Sequence, residues 1–493
     1  MTAAATAAAP QARAVEFREE KVYHSPEETG HCAWVQLWQE PGGGLRLAFQ
    51  ESRTPAEGRT RSPIDIDTWE VGGMPATYDF SGLVTETVFL RSDNDATTWA
   101  ETGRGTCGLA PVSLPDGGLL SLHWARGYPG NATGGGLFAS ADNGKAWQRI
   151  HQIMDENYYT TYGFAMRLLR DGKTLVLFCP YAPTYGPGKE FPVRNATRPG
   201  VRNNFQAAVF WSRDLGRTLI GPIGIYPGQP VTESDFCELA SGDLLFIHHR
   251  MYSGTCHRQF LKRTALGFVP GLMEEVAANA PEIFVCTNDG VLVGASRNGP
   301  YLWSDDNGLT WAPVEGAGNC GYQPRALPLA DGRVLFCWHK GADLAYGEQD
   351  MWIGQHTFRL RIDNPRIRTR LRLARVKDEA QQRYICAFTA TLTTADGTPV
   401  AGQPVEFSVV GRWEPGYEDF GGSRPWLEGK VTVATTNEDG VARVDYPEQA
   451  EIENIHKSFQ LCARFNPDNE LPGYVPATSV IWEYYALTPR REP

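Results

Sequence analysis

The chain has 493 residues, 42% hydrophobic and 21% charged, with a formal net charge of -11. That length accommodates two domains with full cores, and the acidic balance argues against a nucleic-acid or anionic-membrane surface, because those partners reward a basic face. No stretch approaches the ~18 uninterrupted apolar residues of a membrane span. Residues 1–14 are Ala/Thr-rich and lack the large apolar run of a signal peptide, so they read as a disordered tail on a cytoplasmic protein, or on a secreted one whose leader was removed. The ten cysteines lack metal-ligand spacing, and most sit in apolar runs, which suits buried reduced thiols; neither a metal nor a cofactor is expected. Cys386 and Cys462 are open to pairing across a sandwich, with two buried thiols the preferred reading. Asn131 and Asn195 are glycosylation acceptors only in a chain secreted by a eukaryote.

Taken in order, the chain shows apolar runs broken by Gly-containing turns at Trp34 to Phe49, Val112 to Trp124, Met166 to Phe178, Glu238 to Ile247, Ile283 to Gly294 and Ala326 to Trp338. Turns such as Pro115-Asp116-Gly117-Gly118 and Ala330-Asp331-Gly332 are strong hairpin signals. Between the hairpins a second pattern recurs. Ser304-Asp305-Asp306-Asn307-Gly308-Leu309-Thr310-Trp311 repeats Ser140 to Trp147, with degenerate copies at Ser92 to Trp99 and Ser212 to Leu219. An aspartate that accepts backbone N–H groups and a glycine that supplies φ > 0 make it a hairpin turn. About four strands per repeat, at a period of roughly 40–90 residues and without long helical patterns, predict an all-β, six-bladed β-propeller over residues 15–364. The last blade is expected to close by pairing Val15 to Tyr23 with Trp352 to Leu360. After Asn364 the repeat stops, and short strands at Tyr384 to Thr394, Val405 to Val410 and Val431 to Thr436 predict a β-sandwich over 365–493.

The Ser-x-Asp-x-Gly-x-x-Trp turn resembles the Asp box of sialidases and related propellers, where it is structural. The C-terminal segment, with Thr436, Asp439, Gly440 and Ala442, looks like a bacterial immunoglobulin-like domain, used as a spacer, dimer contact or carbohydrate-binding accessory. The sialidase resemblance extends over Val22 to Leu360 and implies a glycosidase acting with retention on a terminal acidic or sialic-acid-related sugar. Glu51-Ser52-Arg53 is similar to the segment supplying a substrate-binding arginine, and Glu233 to Glu238 followed by Arg250 is similar to the fourth blade. There the first glutamate assists the nucleophile and the arginine holds a carboxylate. Arg297 matches another binding arginine, and Cys320-Gly321-Tyr322 resembles the segment of the nucleophilic tyrosine.

The chemistry of these residues is consistent with that reading. A tyrosine, with an ordinary pKa of about 10, attacks only if a carboxylate takes its proton, a role open to Glu233. Arginines bind a sugar carboxylate through paired hydrogen bonds. The pattern departs from the family at Ala33, where a third binding arginine is expected; Arg167, Arg325 or Arg126 are its possible substitutes. The acid/base is assigned to Asp65, with Glu57 and Asp67 on the same loop close behind. Glu238 and His339 join the candidate substrate-binding set, and His123, Lys340, Tyr128, Tyr181 and Tyr185 are candidate pocket residues. Glu238, Glu282 and Asp235 are the reserve carboxylates. Because His248 and His249 are adjacent on a strand they should face opposite ways, which disfavours a metal site with His257. The alternatives are a polysaccharide lyase taking the proton α to a uronate carboxylate and a non-catalytic glycan-binding propeller.

Overall fold

The computed structural model describes residues 10–26, 31–53, 84–123, 136–153, 158–159, 165–183, 206–225, 231–250, 255–265, 267–340, 352–378, 383–410, 431–445, 458–471 and 473–484. Every regular element among them is a strand, and no helix is long and apolar enough to cross a membrane. The chain divides into two compact units, Ala12–Ser304 with Gly308–Arg361, and Met1–Gln11 with Asp305–Asn307 and Ile362–Pro493.

In the larger unit β1 (Gln11–His24) precedes a first sheet of β2 (His31–Gln39), β3 (Leu45–Arg53), β4 (Val84–Ser92) and β5 (Ala100–Gly105). The second sheet comprises β6 (Leu109–Ser113), β7 (Leu119–His123), β8 (Gly136–Ser140) and β9 (Gln148–Gln152). In the third, β10 (Tyr158–Tyr159) and β11 (Ala165–Leu168) both pair with β12 (Leu175–Pro183), which leads to β13 (Gln206–Ser212) and β14 (Ile220–Ile225). The fourth is β15 (Val231–Glu238), β16 (Leu244–Arg250), β17 (Cys256–Thr264) and β18 (Gly267–Val276), and the fifth β19 (Ile283–Cys286), β20 (Leu292–Ala295), β21 (Tyr301–Ser304) and β22 (Ala312–Pro313). The sixth takes β23 (Tyr322–Pro328), β24 (Arg333–His339) and β25 (Trp352–Asp363), and is completed by β1 on the far side of β25. The pairings within the first five sheets and among β23, β24 and β25 are antiparallel. The first strands β2, β6, β11, β15, β19 and β23 touch one another in that order, and β23 returns to β2, so they form a closed ring.

The inner strands of this unit, such as β3, β20 and β24, are largely buried because each sheet packs between two others, whereas outer strands such as β5 and β9 are largely exposed. Val176 and Phe178 of the third sheet share one core with Phe236, Phe246 and Leu261 of the fourth, and fully burying such a side chain stabilises by roughly 1.5–3 kcal/mol. The six predicted hairpins each join the first two strands of a sheet; at the turn before β24, Gly332 has φ 86°, a conformation that disfavours any side chain. The chain enters β1 at Gln11, so residues 11–14, read from composition as tail, are strand instead. The composition gave no sign of this because β1 is exposed along much of its length and gains its order by pairing with β25.

The recurrent serine turn adopts one geometry in all four copies, the degenerate ones included. The hydroxyl of Ser92, Ser140, Ser212 or Ser304 accepts the backbone N–H four residues on, from Ala96, Gly144, Gly216 or Gly308, at 2.8 to 3.1 Å. In the first three copies the side chain at the third position, Asn94, Asp142 or Asp214, accepts the N–H of Thr98, Ala146 or Thr218 at 2.8 to 2.9 Å. Each turn links the third and fourth strands of its sheet.

The smaller unit has β26 (Thr369–Asp378), β27 (Arg383–Thr394), β28 (Pro404–Val410), β29 (Val431–Thr435), β30 (Val441–Asp445), β31 (Ser458–Phe465) and β32 (Ala477–Tyr484). They form two sheets, β26-β27-β30 and β29-β28-β31-β32. Leu373, Phe388 and Val444 of one bury against Val405, Phe407 and Leu461 of the other. Cys462 is a buried free thiol, whereas the side chain of Cys386 lies outside the described residues, as do Asn131 and Asn195.

Candidate functional site

Four of the six ring strands share one irregularity. Ala33 faces Gln50 and Gln36 faces Ala48; Leu109 faces Leu122 and Val112 faces Leu120. Val231 faces Arg250 and Ser234 faces His248; Tyr322 faces His339 and Arg325 faces Cys337. Three steps on the ring strand answer two on its partner, which is a one-residue bulge that bends a strand and re-aims its side chains. At Trp34, Ala110 and Gln323, the second residue of three of these bulges, φ is left-handed at 56°, 49° and 48°.

Around the bulges of the fourth and sixth sheets charged groups converge. Arg167 on β11 donates through Nη2 to both carboxylate oxygens of Asp235 on β15, at 2.8 and 2.7 Å, and Asp235 is only 3% exposed. Arg325 on β23 is pushed below the usual guanidinium value by burial, and it feels the charges of Asp235, Arg167, Arg297 and Glu282. Among the described residues Arg325 makes no ion pair; its Nη1 donates to the carbonyl of Pro324 at 2.9 Å. Arg297, in the turn after β20, lies 3.4 Å from Glu282 and sets its guanidinium 5.4 Å from the centre of the Tyr322 ring. Burial raises the Glu282 carboxyl above its usual range, against the opposing pull of the Arg297 backbone N–H and the Arg325 charge. The Tyr322 ring meets His339 edge-on at 5.1 Å, and His339, fully buried, has Nε2 3.5 Å from the Gln323 amide oxygen. Three guanidinium groups thus surround two carboxyl groups.

Of the residues selected from sequence, Tyr322, Arg297, Arg325, Arg167 and His339 belong to this cluster, and the reserve carboxylates Asp235 and Glu282 join them. Glu233 and Arg250 are described by backbone alone. Glu233 holds the bulge position that Val35, Pro111 and Pro324 hold in the other strands, and Arg250 ends β16 opposite Val231. Asp65, Glu57 and Asp67 lie outside the described residues, as do Arg126, Tyr128 and Tyr185.

Two selected residues sit elsewhere. Arg53 donates to Glu86 at 2.5 Å and lies 3.6 Å from Glu51, a fully buried carboxylate that also accepts from Arg104 at 2.5 Å and from the Tyr23 hydroxyl at 2.8 Å. Glu238 ends β15 beside its turn, at the opposite end from Ser234, and accepts the backbone N–H of Arg170 at 2.7 Å. Glu238, three residues beyond Asp235, meets the turn of the same β11–β12 hairpin that carries Arg167. His248 stacks on Phe246 at 5.6 Å while His249 reaches the Pro281 carbonyl at 3.1 Å, so the two rings face opposite ways. Among the described residues no three His, Cys, Asp or Glu side chains gather as a metal-holding group.

The bulges escaped the sequence reading, which began two of its hairpins at Val112 and Ala326. Pro111 and Pro324 were the available signal, since proline inside a strand run marks a bulge or an edge.

No family model and no curated protein matches this chain. Solved structures similar to it include a protein of unknown function from Dyadobacter fermentans, at 16% identity and a TM-score of 0.46, covering 71% of this chain and 99% of that one. The α-L-arabinofuranosidase Arb93A of Fusarium graminearum has 11% identity and a TM-score of 0.46, covering 70% and 98%. A family 117 glycoside hydrolase of Zobellia galactanivorans has 10% identity and a TM-score of 0.37, covering 71% and 90%.

Proposed function

We propose that residues 15–364 form a six-bladed, sialidase-like β-propeller, that 365–493 form an immunoglobulin-like sandwich, and that the chain is a glycoside hydrolase cleaving a terminal acidic sugar. The observation that carries this reading is the charge around Arg325. In a chain of net charge -11, three guanidinium groups face two carboxyl groups at the ring, and burial keeps one of those carboxyls raised. Arg167 is committed to Asp235 and Arg297 to Glu282, which leaves Arg325 to receive a carboxylate.

In the mechanism, Tyr322 Oη attacks the anomeric carbon as the glycosidic C–O bond breaks. The phenolic proton passes to Glu233, and the leaving oxygen is protonated by Asp65, with Glu57 and Asp67 as its alternatives. Water then displaces the tyrosyl oxygen, giving net retention. A tyrosine nucleophile is an established exception to two-carboxylate hydrolysis, and the Arg297 guanidinium lies 5.4 Å from the centre of the Tyr322 ring.

One observation favours a second reading. Asp235 is held through both oxygens by Arg167, whereas burial raises the Glu282 carboxyl, which suits Glu282 to act as an acid. The two readings separate on Tyr322→Phe, assayed on a panel of acidic and neutral aryl glycosides with the product anomer followed by NMR. The tyrosine mechanism predicts loss of turnover at unchanged melting temperature, and near-native turnover passes the chemistry to Asp235 and Glu282. Arg325→Ala should weaken acidic substrates selectively. An unsaturated, ultraviolet-absorbing product in place of a reducing sugar overturns hydrolysis in favour of a lyase.

A further inference from the structure

The bulge on β2 carries an aromatic side chain that the proposed reaction leaves without a role. Trp34 is held at φ 56°, a left-handed conformation that bulky side chains adopt only where their surroundings impose it, and such outliers cluster at functional sites. The bulge itself imposes it, as at Ala110 and Gln323, and Gln36, 5% exposed, braces this one. Its Nε2 donates to the Trp34 carbonyl at 3.3 Å, and its Oε1 accepts the N–H of Ala110, in the bulge of β6, at 2.9 Å. One buried amide therefore fastens the bulges of two neighbouring ring strands together. Ala33 and Val35 are 0% and 1% exposed, yet Trp34 between them is only half-buried. On its other side β2 touches β23, and the bulge position of Trp34 is the one that Gln323 holds there, between Tyr322 and Arg325.

From this geometry we infer that Trp34 is a sugar-binding platform, stacking the C–H face of the ring whose charged group is received at Arg325. This rests on the glycan reading given above. A pyranose or furanose offers an apolar face ringed by hydroxyls, and an indole offers a rigid apolar plane with few torsions to immobilise on binding. The left-handed bulge at Trp34, tied to the neighbouring strand by Gln36, fixes the backbone that presents that plane before the ligand arrives. The substrate class is thereby narrowed to acidic sugars with one uninterrupted C–H face.

The conformation itself supplies the test. Trp34→Gly removes the platform and installs the residue that tolerates φ > 0. An array of acidic and neutral glycans on the parent protein identifies a binding oligosaccharide, which is then titrated calorimetrically into the parent, Trp34→Gly and Arg325→Ala. The platform predicts that Trp34→Gly melts no lower than the parent yet binds about tenfold or more weakly, with Trp34→Phe in between. A melting temperature lowered by about 10 °C makes Trp34 a packing residue and overturns the inference. So does parent-like affinity in Trp34→Gly, which leaves the glycan reading standing. A parent protein that binds nothing on the array removes the glycan reading, and the platform with it.

Discussion

Burial drives the carboxyls of Glu282 and Glu51 alike upward, but at Glu51 hydrogen bonds from Arg104, Tyr23 and Ser25 outweigh it and hold the group below its ordinary value. The consequences for stability have opposite signs. Raised in the folded state, Glu282 contributes fully below its ordinary value of 4.5 and loses that contribution as pH rises through the folded value. The stability of Glu282→Gln relative to the parent should therefore increase in urea melts as pH rises above 4.5. Glu51, depressed on folding, contributes above its ordinary value and loses that contribution as pH falls. Removing one partner of a buried ion pair typically costs about 3–5 kcal/mol, so Glu51→Gln should destabilise by about 3 kcal/mol at neutral pH and by less in acid. Tyr322 stands out in the sequence because Cys320-Gly321-Tyr322 resembles a sialidase segment, and Arg167 and Arg325 as stand-ins for the arginine missing at Ala33. The structure sets all three on first strands of hairpins that the turn pattern marks. The Glu51 network was not legible. It joins three strands through side chains as far apart in sequence as Tyr23 and Arg104, and no local period records such a meeting.

At the scale of the element, the serine turn shows how a repeat keeps its geometry while its residues change. Gly144 has φ 86°, and a Cβ there would lie 2.6 Å from Phe89 Cζ, so Gly144→Ala combines backbone strain with a clash. It should cost about 2 kcal/mol or more. The first copy already carries Ala96 at φ 63°. There the reverse change, Ala96→Gly, relieves strain and should leave stability unchanged or raise it by up to ~1 kcal/mol. Denaturation of both variants by guanidinium reads the asymmetry directly. These turns and the six hairpins were legible because glycine, aspartate and apolar alternation encode them within a few residues. The bulges were missed: Pro111 and Pro324 pointed to two of them, but the offset itself is set by the register of the partner strand, as Tyr322 to Arg325 shows against His339 and Cys337.

For the larger unit, closure depends on β1. Its Tyr23 hydroxyl donates to Glu51 in the first sheet, and Gln355 on β25 donates 2.7 Å bonds to both Glu20 of β1 and the Ala96 carbonyl. Phe17 lies against His356 at 4.9 Å. Removing residues 10–24 strips these links and exposes the edge of β25. Such a truncation should lower the melting temperature by about 10 °C or more, and calorimetry of the truncated and parent proteins checks it.

The same closure sets an order in time. β1 leaves the ribosome first among these strands and pairs with one of the last strands of its unit, so at about 5–20 residues per second it waits on the order of half a minute for its partner. During synthesis the incomplete ring carries an unpaired strand at one end and an open sheet edge at the other, and either can recruit the complementary piece of a neighbouring chain. Crowded expression should therefore favour exchange of β1 between molecules, and slower translation before residue 352 should lengthen the interval in which exchange occurs.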